Sequence, residues 1–226
     1  ASYCRTLVFE VTMGVPLKSD VLYLPSNFYP QESSITIMQV PNSTISGKPP
    51  RLILLDRDGV INHDSEDYIK SPEEWAPIKG SLEAISEGQQ RGIEFAVCTN
   101  QSGLGRGLFS KDDLLNMHAK CNSTLKSLGG RPLRFFFCPH TPEDSCACRK
   151  PRPLLIDLAI KTLGSIPSDT IFVGDSFSDL KASRSASVQF ILVQTGNGES
   201  TYRKVSELKE QSPPFYSDLA RFLKSF

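Results

Sequence analysis

The feature that most narrows the fold is an apolar run, Arg51-Leu-Ile-Leu-Leu55, that stops at Asp56-Arg57-Asp58-Gly59. A short, unbroken apolar run bounded by turn residues reads as a buried strand. Two carboxylates one residue apart then stand at its carboxyl end, the edge at which open α/β sheets bind ligands. Alone, Asp-x-Asp-Gly serves equally well as a turn after a strand. The rest of the chain decides between a turn and a reactive site.

From Arg51 onward apolar strands alternate with amphipathic segments. Strands are predicted at 51–56, 94–99, 134–138, 170–174 and 189–193, and helices near 81–91, 111–128, 152–163, 177–186 and 214–225. Ser110 with Asp113 is a capping signal for the second helix, and Gly129-Gly130 ends it. His118, on that helix's apolar face, reads as a packing residue. This order implies an α/β fold: a Rossmann-like parallel sheet with helices on both faces. Residues 51–226 form the expected main domain. Residues 1–50 differ in composition. They carry two alternating stretches, 6–11 and 34–40, and a Pro/Ser/Asn-rich linker over 41–50, and are read as an N-terminal extension without a catalytic motif.

The carboxyl ends of parallel strands share one edge, and every predicted end is polar. After the first come Asp56 and Asp58; after the second, Thr99-Asn100-Gln101-Ser102-Gly103; after the third and a short loop, Arg149-Lys150-Pro151; after the fourth, Asp175-Ser-Phe-Ser-Asp179. These residue types suit phosphoryl transfer, where positioning and charge stabilisation must supply most of the acceleration. Mg²⁺ prefers oxygen ligands, which Asp56, the Asp58 backbone carbonyl and Asp175 could supply. Thr99 offers a hydroxyl and Lys150 a point charge to the phosphoryl group. Asp56 could act as nucleophile and Asp58 as acid/base, since a metal on one acid splits their proton affinities in the required sense.

A second cluster stands just before Lys150. Cys138-x-His140 and Cys146-x-Cys148 place three thiols and an imidazole within eleven residues. Four such ligands without an open position describe a structural Zn²⁺ site. Zinc there would organise Arg149 and Lys150 rather than attack substrate. A redox or incidental cysteine group is the competing reading.

Bulk properties exclude several classes. The 226 residues hold 25 Lys+Arg against 25 Asp+Glu, so wide binding to a nucleic-acid backbone is not expected. No apolar run approaches the ~18 residues that cross a bilayer. The chain does not begin with Met and shows no secretory leader pattern, and its cysteine usage suits an intracellular protein; a cytoplasmic monomer is expected. Asn42-Ser-Thr and Asn122-Ser-Thr match the glycosylation triplet, which arises often by chance.

Taken in order, Asp56-x-Asp58-Gly-Val, Thr99-Asn-Gln, Lys150 and Gly174-Asp175-x-x-x-Asp179 resemble the haloacid dehalogenase (HAD) superfamily of aspartate-dependent phosphatases over about residues 51–196. The resemblance implies Mg²⁺ dependence and an aspartyl-phosphate on Asp56. The zinc loop narrows it to the subgroup, lacking a large cap domain, that removes the 7-phosphate of heptose bisphosphate, and to its histidinol-phosphate phosphatase relatives. In that subgroup the loop after Asn62, the turn Asn100-Gln101-Ser102 and the pair Arg149-Lys150 contact the sugar phosphate. Two departures bear on substrate. Ser176 stands where many heptose phosphatases have Lys, and the 62–68 loop carries Asp64, Glu66 and Asp67, which suit a cationic amine or simply solvent. Thr99 through Gly107 also resembles polynucleotide 3′-phosphatases. Gly103-x-Gly105-x-Gly107 has the wrong spacing for a nucleotide fingerprint. A non-catalytic interaction module is the rival from another class.

Overall fold

The computed structural model describes residues 49–226 together with the backbone of a short strand at 7–9. The stretch expected as a strand at 34–40, and the linker up to residue 48, lie outside the described residues. Seven strands form one sheet: β1 (Leu7–Phe9), β2 (Leu52–Leu55), β3 (Glu94–Asn100), β4 (Arg134–Cys138), β5 (Thr170–Gly174), β6 (Gln189–Val193) and β7 (Phe215–Tyr216). Their spatial order is β1-β4-β3-β2-β5-β6-β7, with β2 through β7 parallel and β1 antiparallel on β4.

Strand period explains why these segments form a sheet buried on both sides. Ile53, Leu55, Phe95, Val97, Phe135, Phe137, Ile171, Val173, Ile191 and Val193 face one core. Their sequence neighbours Leu52, Leu54, Ala96, Cys98, Phe136, Phe172, Phe190 and Leu192 face the other. Successive strand residues point to opposite faces, so a continuous apolar run fills two cores at once. The first core is closed by α1 (Ser81–Gln90), α3 (Lys111–Ser127) and α7 (Leu219–Leu223), through Ile85, Met117 and Phe222. The second is closed by α4 (Leu154–Thr162), α5 (Phe177–Ser185) and α6 (Gly198–Glu207), through Leu155, Leu180 and Val205. A one-turn α2 (Ser102–Gly105) follows β3.

The chain runs outward from β2 to β3 to β4, then returns to β5 on the other flank of β2. The strand order therefore reverses between β2 and β5, the crevice where such sheets hold ligands. The helix expected at 214–225 is a correction. That segment gives β7 and the shorter α7, because Leu192 and Gln194 donate to Pro214 O and Tyr216 O and recruit it to the sheet edge. Helix α6 is not among the helices expected from the sequence. Its ten residues bury only Gly198, Thr201 and Val205. Among the described residues no helix is long and apolar enough to cross a membrane.

Candidate active site

Asp56, Asp58, Thr99, Lys150 and Asp175 line a single cleft of about 270 Å³ at the carboxyl ends of β2, β3 and β5. Arg57, Asp64, Tyr68, Asn100, Gln101, Arg149 and Asn197 also reach it.

Lys150 is its organising cation. It is 2% exposed, and its Nζ lies 3.0 Å from Asp56 Oδ2, 2.6 Å from Asp179 Oδ1 and 2.8 Å from Cys98 O. Burial pulls its proton affinity down, but Asp179 and Asp56 outweigh burial and hold the ammonium above its ordinary range. Asn100 fixes the backbone beneath it. Lys150 N donates to Asn100 Oδ1 at 3.0 Å, and Asn100 Nδ2 donates to Lys150 O at 3.1 Å.

Asp179 is aimed at Lys150 by a helix cap. Ser176 begins α5 as a capping box: Asp179 N donates to Ser176 Oγ at 3.3 Å, and Ser176 N and Oγ donate to Asp179 Oδ2 at 3.1 and 2.7 Å. One carboxylate oxygen closes the helix end and the other meets the ammonium. Ser176 thus has a structural use. The spacing Ser176-x-x-Asp179 could have revealed it from sequence.

Asp56, Asp175 and Asp179 bring carboxylate oxygens within 4.8 Å of one another. Burial, then the neighbouring Asp179 charge, push the Asp56 carboxyl well above its usual range, against the pull of Lys150. The same two causes raise Asp175 to about 7. Three crowded, desolvated carboxylates facing one cation form a hard-oxygen donor set short of positive charge, which fits Mg²⁺. With Asp179 committed to Lys150, Asp56 and Asp175 are the carboxylates left to bind it. Asp175 Oδ2 accepts from Asn197 N at 2.7 Å, a contact that leaves its other oxygen for the cleft. Gly59 (φ +79°) and Gly196 (φ +60°) make room for this carboxylate. A Cβ on either would sit 2.3 or 2.2 Å from Asp175 Oδ2. Gly196 and Asn197, absent from the sequence reading, lie beyond β6 and meet the site only through the fold.

Asp58 is held differently. Its Oδ1 accepts from Arg57 Nε at 2.9 Å and Asn62 Nδ2 at 2.8 Å; its Oδ2 accepts from Arg57 Nη2 at 3.0 Å and Gln101 Nε2 at 2.8 Å. Burial pushes its carboxyl up, but the Arg57 charge and these hydrogen bonds together hold it below the ordinary value. Arg57, 1% exposed, was not singled out by the sequence reading.

The expected substrate residues separate into groups. Arg149 lines the cleft and donates from Nη1 to His140 O at 3.1 Å. Asn100 and Gln101 line it too; Asn100 bonds the backbone of Lys150 through both ends of its amide, and Gln101 Nε2 donates to Asp58 and Thr99. Ser102 starts α2, buried and away from the cleft lining. Of the acidic loop set only Asp64 reaches the cleft, where Asn197 Nδ2 donates to it at 3.0 Å; Glu66 and Asp67 are exposed. His118 packs as expected, stacked on Phe135 at 3.9 Å.

The cysteine loop closes on itself beside Arg149. Cys138 Sγ lies 3.6 Å from Cys146 Sγ, 3.4 Å from Cys148 Sγ and 3.5 Å from His140 Nδ1; Cys148 Sγ lies 3.6 Å from Cys146 Sγ and 3.3 Å from His140 Nδ1. None of these cysteines is disulfide-bonded. Zn–S bonds of ~2.3 Å in a tetrahedron set sulfurs ~3.8 Å apart, so the four atoms already approximate the corners that zinc requires.

A Rossmann-like sheet whose switch-point crevice holds paired aspartates, a buried lysine and a further acidic pair defines the HAD-like hydrolases, and the HAD-hydrolase-like family profile matches residues 147–220. The chain is 43% identical over 166 residues to the D-glycero-β-D-manno-heptose-1,7-bisphosphate 7-phosphatase of Neisseria meningitidis, covering 73% of this chain and 89% of that protein. It is 46% identical over 153 residues to the same enzyme of Pseudomonas aeruginosa, covering 68% and 86%. A crystal structure of D,D-heptose 1,7-bisphosphate phosphatase from B. bronchiseptica, complexed with magnesium and phosphate, superposes with a TM-score of 0.72 at 40% identity, covering 77% of this chain and 97% of that one. The chain belongs to the D-glycero-β-D-manno-heptose-1,7-bisphosphate 7-phosphatase family of HAD-like hydrolases.

Proposed function

We propose that this protein is a Mg²⁺-dependent phosphomonoesterase that removes the 7-phosphate of D-glycero-D-manno-heptose 1,7-bisphosphate. The observation that carries the reading is the meeting of Asp56, Thr99, Lys150 and Asp175 in one small cleft. The substrate rests on 43–46% identity to enzymes named for it. The cleft's volume suits a small phosphorylated sugar rather than a nucleic-acid strand.

In this reading Asp56 attacks phosphorus, forming a carboxyl–phosphate bond as the ester P–O bond breaks. Asp58 delivers a proton to the departing alkoxide. It then takes a proton from the water that attacks the aspartyl-phosphate, releasing inorganic phosphate and restoring Asp56. The incoming phosphate dianion, by like charge, opposes the donors that keep Asp58 ionised, so the acid form becomes accessible as substrate arrives. Lys150 and the Thr99 hydroxyl bind phosphoryl oxygens. Bound between Asp56 and Asp175, Mg²⁺ would supply the positive charge that keeps Asp56 ionised and balances the transferring phosphoryl group. Cys138, His140, Cys146 and Cys148 would hold Zn²⁺, which would fix the loop on which Arg149 and Lys150 stand. Arg149 faces the distal part of the substrate.

Phosphate release, with and without Mg²⁺, over heptose bisphosphate, histidinol phosphate and 3′-phosphorylated DNA tests the proposal. The heptose ester is expected to give the highest kcat/KM, and Asp56→Asn to lose about 10⁴-fold or more in kcat while keeping the fold. Preference for histidinol phosphate would shift the substrate to that relative. Undiminished turnover by Asp56→Asn would remove the nucleophile assignment.

A further inference from the structure

The sequence reading placed Gln101 against the substrate; its surroundings point elsewhere. Gln101 is 4% exposed. Its Nε2 donates both hydrogens inward, to Asp58 Oδ2 at 2.8 Å and to Thr99 Oγ1 at 3.0 Å. Its backbone N donates to Cys138 O at 2.7 Å, which anchors the residue to the end of β4. An amide nitrogen has only two hydrogens, so none remains for a substrate oxygen. The two acceptors are the groups that the mechanism must keep in register: the carboxyl that handles the leaving-group proton and the hydroxyl that binds the phosphoryl oxygen.

We propose that Gln101 is a positioning residue that ties Asp58 to Thr99, and that it acts on the proton-transfer step rather than on substrate affinity. The inference rests on the phosphatase reading above and deepens it. Two geometric consequences support it. First, Thr99 Oγ1 accepts from Gln101, so its own hydrogen is turned away from Gln101, leaving it free to donate to a phosphoryl oxygen. Second, Asp58 accepts from Arg57 Nε and Asn62 Nδ2 on Oδ1 and from Arg57 Nη2 and Gln101 Nε2 on Oδ2, so donors on both oxygens fix the plane of its carboxyl group. Arg57, which also borders the cleft, and the fully buried Asn62 hold it as well. Gln101 is the neutral donor of this set that borders the cleft. It therefore sets the direction in which Oδ2 meets the leaving oxygen.

The test exploits leaving-group chemistry. A sugar alkoxide needs a proton to depart, whereas an activated phenolate such as 4-nitrophenolate leaves without one. Single-turnover rates of leaving-group release, and the substrate Kd from their concentration dependence, are measured for Asp58→Ala, Gln101→Met and Gln101→Asn on heptose bisphosphate and on 4-nitrophenyl phosphate, with circular dichroism confirming the fold; this step precedes the hydrolysis of the aspartyl-phosphate, which both esters share and which also uses Asp58. Asn keeps the amide but is one methylene too short to span both acceptors, so it serves if Met does not fold. Both Gln101 variants are expected to lose about 10- to 100-fold in the release rate on the sugar ester, with Kd nearly unchanged and a loss of less than about threefold on the aryl ester. Asp58→Ala is expected to show the same pattern, more steeply. Raised Kd at an unchanged release rate would make Gln101 a substrate contact, and equal losses on both esters would make it merely structural; either overturns the inference while leaving the phosphatase reading intact. If Asp58→Ala itself shows no dependence on leaving group, the acid/base role fails, and the Gln101 inference fails with it.

Discussion

The Lys150–Asp179 pair offers the sharpest energetic test of the site. Lys150→Met removes the ammonium and leaves Asp179, fully buried, opposed only by Ser176 N and Oγ. Breaking a buried ion pair from one side costs about 3–5 kcal/mol, because the remaining charge stays desolvated. For a domain of this size that is a fall in Tm of about 6–20 °C, at about 2–4 °C per kcal/mol. Asp179→Asn is milder, about 1.5–3 kcal/mol, since Lys150 still has Asp56 at 3.0 Å and Cys98 O at 2.8 Å. Were the two independent, the double variant would lose the sum, about 4.5–8 kcal/mol. Because the Met/Asn pair carries no unbalanced charge between these positions, the double variant is expected to be no worse than Lys150→Met alone. The coupling is then at least about 1.5–3 kcal/mol. Urea unfolding of all four proteins at pH 7.5, with zinc retained and Mg²⁺ chelated, gives the cycle directly. Additivity within about 0.5 kcal/mol would refute the idea that these charges are held by each other. Lys150→Met should also be inactive, since it removes the phosphoryl cation.

Three further outcomes follow from the geometry. Elemental analysis should find about one zinc per chain, and stripping it with a chelator should lower stability and raise KM for the sugar ester, because Arg149 loses its anchor at His140 O; a metal-free protein with normal stability and kinetics would remove the zinc assignment. Gly196→Ala should weaken Mg²⁺ binding by about tenfold or more, read by calorimetry, since its Cβ would meet Asp175 Oδ2 at 2.2 Å; unchanged Mg²⁺ affinity would show that the carboxylate does not need that space. The Asp175 carboxyl, raised to about 7 in the metal-free protein, must lose its proton to ligate. Protons therefore compete with Mg²⁺ as pH falls through that value, and the apparent Mg²⁺ Kd should rise about tenfold per pH unit below it; a Kd flat between pH 7 and 5.5 would contradict this.

Strand bodies and reactive termini were legible because each is a local pattern. Leu52–Leu55 and Phe135–Phe137 announce strands buried on two faces; Asp56, Thr99 and Asp175 stand at the ends of such runs, and Lys150 stands beyond one by way of the cysteine loop. The cysteine loop was legible because its four donors lie within eleven residues. Less visible were groups whose partners are distant in sequence. Asn197 acts on Asp175 across 22 residues and on Asp64 across 133, and Gln101 reaches Asp58 across 43. Helix α6 was missed because it is polar overall and buries only Gly198, Thr201 and Val205, leaving little apolar content to mark its inner face, and β7 because a two-residue edge strand depends on β6 for its existence.

The residues at positions 56, 99, 150 and 175 state in one dimension which chemical groups are present, three of them at a strand's end and Lys150 one loop beyond a strand. Their order and spacing make a parallel α/β sheet the economical arrangement. Tertiary structure alone decided how the groups meet: that Asn100 grips Lys150, that Gln101 donates to Asp58 and Thr99, and that two glycines clear a space for Asp175. The physical reason is that a hydrogen bond or a steric clearance depends on ångström distances between segments, and those distances are set by packing of the two cores rather than by any neighbour in the chain.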